Sequence, residues 1–161
     1  MNIPITKPLL GEEEVEAVSK VIRSGWLAQG KKVAAFENMV AETVGAKEVV
    51  AVSSCTTALH IALRTTGLQC GDWACLTKPC LERCEIICPS YTFVATINAL
   101  LYMGIKPVLV DIEAQSGNID PDLIEAAITP RTRAIMPVHQ LGYPADLDRI
   151  QKIASNYDLL V

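Results

Sequence analysis

Residues 48–60, EVVAVSSCTTALH, give the first indication of the fold class, because an apolar stretch runs through small hydroxyl residues directly into a helical pattern. The nearly continuous valine and alanine of 48–52 predict a buried strand. The spacing of apolar residues in 57–66 predicts a helix. A strand, a turn and a helix in this order form one unit of an α/β protein, if the pattern repeats.

The pattern does repeat along the chain. The predicted helices are 12–24, which ends at Gly25, then 33–44, 92–102, one that begins at Pro121 with Asp120 as its N-cap, and 146–155. The predicted strands are 85–88, 106–110, 133–138 and 158–161. Alternation of this kind predicts an α/β fold with a mainly parallel sheet and helices on both faces. Ligands of such sheets bind at the carboxyl ends of the strands.

The composition bounds the function. With 161 residues, of which 50% are hydrophobic, the chain can form one compact α/β domain or a piece of one. The net charge of -4 and the absence of basic tracts argue against nucleic acid and anionic membranes as partners. No apolar run approaches the roughly 20 residues that span a bilayer, and the first residues do not resemble a signal peptide. We therefore expect a cytoplasmic protein whose partners are small molecules or other proteins.

The hydroxyl cluster between strand and helix suits a phosphate group. Residues 53–57 combine the free N–H groups and positive dipole of a helix N-terminus with the hydroxyls of Ser53, Ser54, Thr56 and Thr57. The alternative is ordinary N-capping by Ser54. No Walker or dinucleotide glycine pattern is present to separate the two interpretations, so the residues alone leave both open.

Five segments, in order, resemble the DegT/DnrJ/StrS family of sugar aminotransferases. They are GEEEVEAVSKVIRSGWLAQGKKVAAFE, VAVSSCTTALHIAL, CPSYTFVATINALLYMGIKPVLVDI, NIDPDLIEAAITPRTRAIMPVH and GYPADLDRI. The resemblance implies a fold-type I transferase that uses pyridoxal 5'-phosphate, with residues 1–161 as the amino-terminal portion of a truncated large domain. It also implies transamination of a nucleotide-linked keto-sugar, glutamate as the usual amino donor, and a homodimer with its active sites at the interface.

The resemblance also suggests which residues bind the cofactor. The segment around Cys55, Thr56 and Thr57 matches the part of the family that holds the cofactor phosphate. Phe93 matches the aromatic residue that stacks on the pyridine ring, and Tyr91 is a weaker candidate. Cys55 departs from the glycine or alanine that is usual in the family, which raises the question whether its side chain crowds the phosphate.

Other residues have two interpretations each. His139 follows strand 133–138 at the same edge and either faces the cofactor or is a satisfied structural histidine. His60, inside a helix, is expected to be structural. Trp26 and Gln29 belong to the segment GWLAQG, which resembles the family's signature near the subunit interface and substrate entrance, although a packed tryptophan is the commoner explanation.

No catalytic residue is expected within this chain. In the family, the aspartate that pairs with the pyridine nitrogen and the lysine that binds the cofactor covalently would both follow Val161, and no lysine present falls in a matching motif. We therefore expect a fragment that is inactive alone. The alternatives are a sugar dehydratase of the same family, in which histidine replaces the lysine, and a non-catalytic binding or regulatory homologue.

A cysteine-rich insert, WACLTKPCLERC at 73–84, interrupts the resemblance. The cysteines around it contain no C-x-x-C pair, so a loop of reduced thiols is favoured over a zinc or iron–sulfur site, and no metal is predicted. They are Cys70, Cys75, Cys80, Cys84 and Cys88. An unremoved intervening segment is a further alternative. Because the insert precedes a strand, we expect it at the amino edge of the sheet, away from the cofactor.

Overall fold

The computed structural model describes residues 7–68 and 84–161. The chain divides into two compact units, Met1–Ala51 and Val52–Val161. Residues 73–83 of the predicted insert lie outside the described residues.

The first unit contains two helices, α1 (Glu12–Ser24) and α2 (Lys31–Val44). Both end at a glycine in the left-handed conformation, Gly25 with φ 70° and Gly45 with φ 68°, where a side chain would be strained. At the start of α1, the Glu14 carboxylate accepts the Gly11 amide at 2.7 Å, which satisfies one of the helix's free donors. Both predicted helices are confirmed.

In the described part of the second unit, a parallel sheet has three strands, β1 (Glu85–Pro89), β2 (Lys106–Val110) and β3 (Thr132–Ile135). Their order is β2-β1-β3, with β1 paired in parallel to both neighbours. Every residue of β1 is buried. This confirms the predicted parallel sheet and makes β1 its centre.

Helices cover both faces of the sheet. They are α3 (Cys55–Thr65), α4 (Val94–Tyr102), α5 (Pro121–Ala127) and α6 (Leu147–Asn156). Because alternate residues of a strand point to opposite faces, Ile86 and Cys88 pack in one core with residues of α3 and α4, whereas Ile87 packs in a second core with residues of α5 and α6. Burial raises the pKa of the Cys88 thiol to about 11, so this cysteine is an apolar core residue.

Two predicted strands are wrong as strands. Residues 48–52 form no ladder with any described residue, and the Ala51 amide donates instead to the Glu37 carboxylate at 2.8 Å. Residues 158–161 contribute only a single parallel bridge, Ala134 to Leu160. The predicted burial of 48–52 is wrong as well, since Val50 is 75% exposed. An apolar run forms a buried strand only where a neighbour supplies hydrogen bonds.

Several element ends also differ from the predictions. Helix α3 begins two residues earlier than predicted, at Cys55, because Ser54 caps it, and α4 begins two residues later, at Val94. Strand β3 ends at Ile135, short of the predicted 138. Pro137 has no N–H to continue the ladder.

A buried carboxylate marks the amino end of β1. Glu85 is 1% exposed, and its Oε1 accepts hydrogen bonds from Lys106 Nζ at 3.0 Å and from Arg131 Nη2 at 2.9 Å. The Thr129 hydroxyl donates to Oε2. Burial raises the pKa of the Glu85 carboxyl, but the hydrogen bonds from Thr129, Lys106 and Arg131 outweigh it and hold the pKa below the ordinary value for glutamate. The cluster therefore ties the starts of all three strands together.

We predict that Glu85→Gln lowers the free energy of unfolding at pH 7 by about 2 kcal/mol, the scale of hydrogen bonds to a charged group. Because the folded-state pKa is depressed, the stabilisation by Glu85 is complete above about pH 4.3, the ordinary glutamate pKa, and is lost as the pH falls below it. Urea titrations between pH 7 and pH 3 measure this. The exposed Glu125→Gln serves as control, and parallel pH curves for the wild type and Glu85→Gln would contradict the prediction.

Candidate functional site

The amino end of α3 is capped by Ser54. Its backbone is extended, and its Oγ accepts the Thr57 amide at 3.2 Å and lies 3.0 Å from the Thr57 hydroxyl. The Ser53 hydroxyl lies 3.4 Å from the same Thr57 oxygen. The N-capping interpretation is confirmed, and the cap occupies both polar groups of Thr57 at this end of the helix.

The cap leaves two amides of the first turn free. Neither the Cys55 nor the Thr56 amide has an acceptor among the described residues, and the half-buried Thr56 hydroxyl has no partner there either. These donors lie at the positive end of an 11-residue helix, a geometry that favours anions. Capping and anion binding are therefore compatible at this turn, because they use different donors.

Cys55 does not distort the turn. Its φ is not positive, so the backbone conformation at this position does not require glycine. The side chain is exposed rather than packed.

Phe93 stands at the amino end of the neighbouring helix. It occupies the N-cap position of α4 without a side-chain hydrogen bond, and its side chain is 77% exposed. Helices α3 and α4 belong to the same face of the sheet, where Leu63 and Leu100 share one core. Phe93 is thus the more exposed of the two candidate aromatic residues, since Tyr91 is 53% exposed.

The segments that follow the three strands meet at the carboxyl edge. The Ser90 hydroxyl, after β1, donates to Asp111, after β2, at 3.4 Å. A Cβ added at Gly117 would lie 3.5 Å from Gln140 Cγ and 3.7 Å from Tyr91 Cδ1, so the segments after β1, β2 and β3 come close together here. The structure thus brings these three segments together as parallel strands require.

His139 lies in the segment after β3 and is exposed. Its Nδ1 accepts the Ala145 amide at 3.0 Å, so one ring nitrogen has a structural partner. The buried side chain of Asn118 holds the same loop through hydrogen bonds to Gln140, Tyr143 and Pro144. Sequence reasoning missed Asn118, since the Gly-Asn pair at 117–118 signals only a turn and its partners are 22 or more residues away.

The first unit contains its own concave surface. A groove of about 670 Å³ is lined by Trp26 and Leu27 together with residues of both helices. The Trp26 indole N–H donates to the Gln29 carbonyl at 2.9 Å, while the side chain is 66% exposed. Trp26 is thus held by its own loop rather than buried in a core.

Metal-ligand clusters are absent from the part of the chain that the structure describes, where no three His, Cys, Asp or Glu side chains are grouped to hold an ion. Across 7–68 and 84–161, no helix is long and apolar enough to cross a membrane. Of the insert, only Cys84 is described, immediately before β1. The predicted position of the insert as a whole lies outside the described residues and stays a prediction.

The sequence profile of the DegT/DnrJ/EryC1/StrS aminotransferase family matches residues 8–161. The chain belongs to this family. The resemblance inferred from the five segments is confirmed, and with it the fold class, since solved structures of the family superpose on the chain.

Three proteins illustrate what this DegT-family chain is similar to. The spore coat polysaccharide biosynthesis protein SpsC of Bacillus subtilis (strain 168) is 43% identical over 159 residues, covering 99% of this chain and 38% of SpsC. NtdA from Bacillus subtilis, solved with bound cofactor PMP, is 37% identical with a TM-score of 0.81, covering 92% of this chain and 32% of NtdA. DesI, solved in the presence of its TDP-sugar product, is 35% identical with a TM-score of 0.76, covering 92% of this chain and 35% of DesI. The chain therefore spans less than two fifths of the length of each.

We predict that Gly30→Ala displaces Trp26 in this DegT-family chain. A Cβ at Gly30 would overlap the indole Nε1 and Cδ1 of Trp26, so the ring or the backbone must move. Indole fluorescence in a Trp73→Phe background reports Trp26 alone. Gly11→Ala is the matched control, because Gly11 is also an extended N-cap but its Cβ would have 3.8 Å of room. Equal effects of the two substitutions would contradict the prediction.

Proposed function

We propose that this chain provides the phosphate-binding part of a pyridoxal 5'-phosphate-dependent aminotransferase that acts on a nucleotide-linked keto-sugar. Family membership supports the aminotransferase class. The cofactor PMP in NtdA supports the cofactor, and the TDP-sugar product of DesI supports the substrate class. Glutamate as amino donor and a homodimer complete the proposal and rest on the resemblance alone.

The observation that supports it most directly is the set of free donors at the start of α3. The amides of Cys55 and Thr56 and the Thr56 hydroxyl have no partner among the described residues, although Ser54 caps the helix. A dianionic phosphate would accept all three, and hydrogen bonds to a charged group are stronger than neutral ones. Contact of Thr57 with the phosphate stays a prediction, since its amide and hydroxyl are already bonded to Ser54.

The roles of the chain's residues follow from their positions. When bound, pyridoxal phosphate supplies the electron sink that transamination needs. Thr56 would anchor its phosphate, and the exposed Phe93 ring would cover one face of the pyridine and exclude water from it. The proposal gives these residues binding and orientation, and no proton transfer.

Thr56→Val tests the anchor. The substitution removes the hydroxyl and keeps the shape, so we expect the affinity for pyridoxamine 5'-phosphate to fall about 10- to 100-fold, the equivalent of one hydrogen bond to a charged acceptor. Pyridoxamine phosphate is the probe because it forms no covalent bond with surface lysines. Thr65→Val, at the opposite end of α3, is the matched control. Unchanged affinity in Thr56→Val, or an equal loss in Thr65→Val, would disprove the anchor.

Cys55 offers an independent test without activity. Its thiol is exposed at the first position of α3, so a phosphate bound to the adjacent amides should slow its alkylation by iodoacetamide. Mass spectrometry resolves the modified site. We expect protection by pyridoxamine phosphate and little by pyridoxamine, which lacks the phosphate. Equal alkylation rates with and without pyridoxamine phosphate would count against binding at this turn.

A further inference from the structure

Asn118 organises the loop between β3 and α6. It is 2% exposed, and its Nδ2 donates to the carbonyls of Tyr143 at 3.1 Å and Pro144 at 3.0 Å. Its Oδ1 accepts the Gln140 amide at 2.8 Å. Both N–H groups and the carbonyl oxygen of the buried Asn118 side chain are thus hydrogen-bonded to the backbone of the loop. Without these bonds, the buried amide group would be unpaired.

The loop in turn fixes the imidazole of His139. Because the Ala145 amide donates to Nδ1 at 3.0 Å, Nδ1 must present a lone pair, and in the neutral ring the proton then resides on Nε2. Nε2 has no hydrogen-bond partner among the described residues, and the ring is exposed at the carboxyl edge of the sheet. One side of the ring is therefore structural and the other is an oriented, unused donor.

We propose that His139 Nε2–H donates a hydrogen bond to an oxygen of the ligand bound at this edge, and that Asn118 is the positioning residue that aims it. The inference rests on the proposed function for the presence of that ligand. The acceptor is a phosphate, hydroxyl or carbonyl oxygen, and it belongs either to the cofactor or to the nucleotide-sugar. In this proposal both interpretations of His139 from the sequence hold. Nδ1 has the structural role, and Nε2 faces the ligand.

Two substitutions at His139 separate the two sides of the ring. Asn places its side-chain oxygen near the position of Nδ1, so His139→Asn keeps the acceptor for Ala145 and loses the Nε2–H donor. Gln reaches the position of Nε2, so His139→Gln keeps a donor there and loses the Nδ1 acceptor. Hydrogen exchange of the Ala145 amide in the ligand-free chain should remain near wild type in His139→Asn and become about tenfold faster in His139→Gln, as expected for one lost hydrogen bond.

Ligand affinity should show the opposite order. We expect His139→Asn to bind pyridoxamine 5'-phosphate about tenfold more weakly than His139→Gln if the acceptor is on the cofactor. The same loss for thymidine diphosphate, and not for pyridoxamine phosphate, identifies the nucleotide-sugar as the source. Equal affinities of the two variants for both probes overturn the ligand contact.

Asn118→Asp tests the positioning role, because it keeps the acceptor for Gln140 and removes both donors. We expect faster exchange at Ala145 with unchanged exchange at Ile87 in β1, and a weaker ligand affinity than in the exposed control Asn38→Asp. Wild-type exchange at Ala145 in this variant overturns the positioning role. If the wild type binds neither probe, the proposed function and the ligand contact both fail, while the exchange data still decide the role of Asn118.

Discussion

The sheet depends on one constraint, the complete burial of β1 between two parallel neighbours. A central parallel strand has water on neither face, so its backbone must be paired on both sides and its side chains must fill two cores. Alternate side chains of β1 point to opposite faces, so that Ile86 and Cys88 fill one core and Ile87 fills the other. Because all three strands run the same way, every segment that leaves a carboxyl end is delivered to the same edge. The hydrogen bond between Ser90 and Asp111 at that edge is a consequence of this parallel arrangement.

The sequence predicted most of this architecture because the signals are local. Apolar period, the glycines at 25 and 45, and Asp120 before Pro121 each act within a few residues, and the helices and the three paired strands follow from them. Residues 48–52 and 158–161 show the limit of such signals, since a strand depends on a neighbour that local sequence does not reveal. The family resemblance, which combines several distant segments, reached further than periodicity alone.

Some features of the candidate site could likewise be predicted from the sequence, and others could not. The hydroxyl turn at 53–57 could be proposed from residue type and its place in the pattern, whereas Phe93 became a candidate only through the family resemblance. Which N–H groups of the turn cap the helix and which stay free could not be predicted from the sequence, because this depends on which amide the Ser54 oxygen accepts. Asn118 was invisible to sequence reasoning for the same reason: an asparagine in a turn is common, and only the fold shows that its side chain crosses to a loop after the next strand.

The Glu85 cluster has a consequence for how the gene can change. The carboxylate fixes the beginning of β1 through Lys106 and Arg131, which lie at the beginnings of the two adjoining strands. The register of β1 is thus set by partners that come after it in the chain, and it does not depend on the length of the segment that leads into it. The segment that precedes Cys84 therefore joins the sheet at a strand whose register is held by Lys106 and Arg131. A change in the length of that segment is therefore expected to leave the register of β1, and with it the geometry of the carboxyl edge, unchanged.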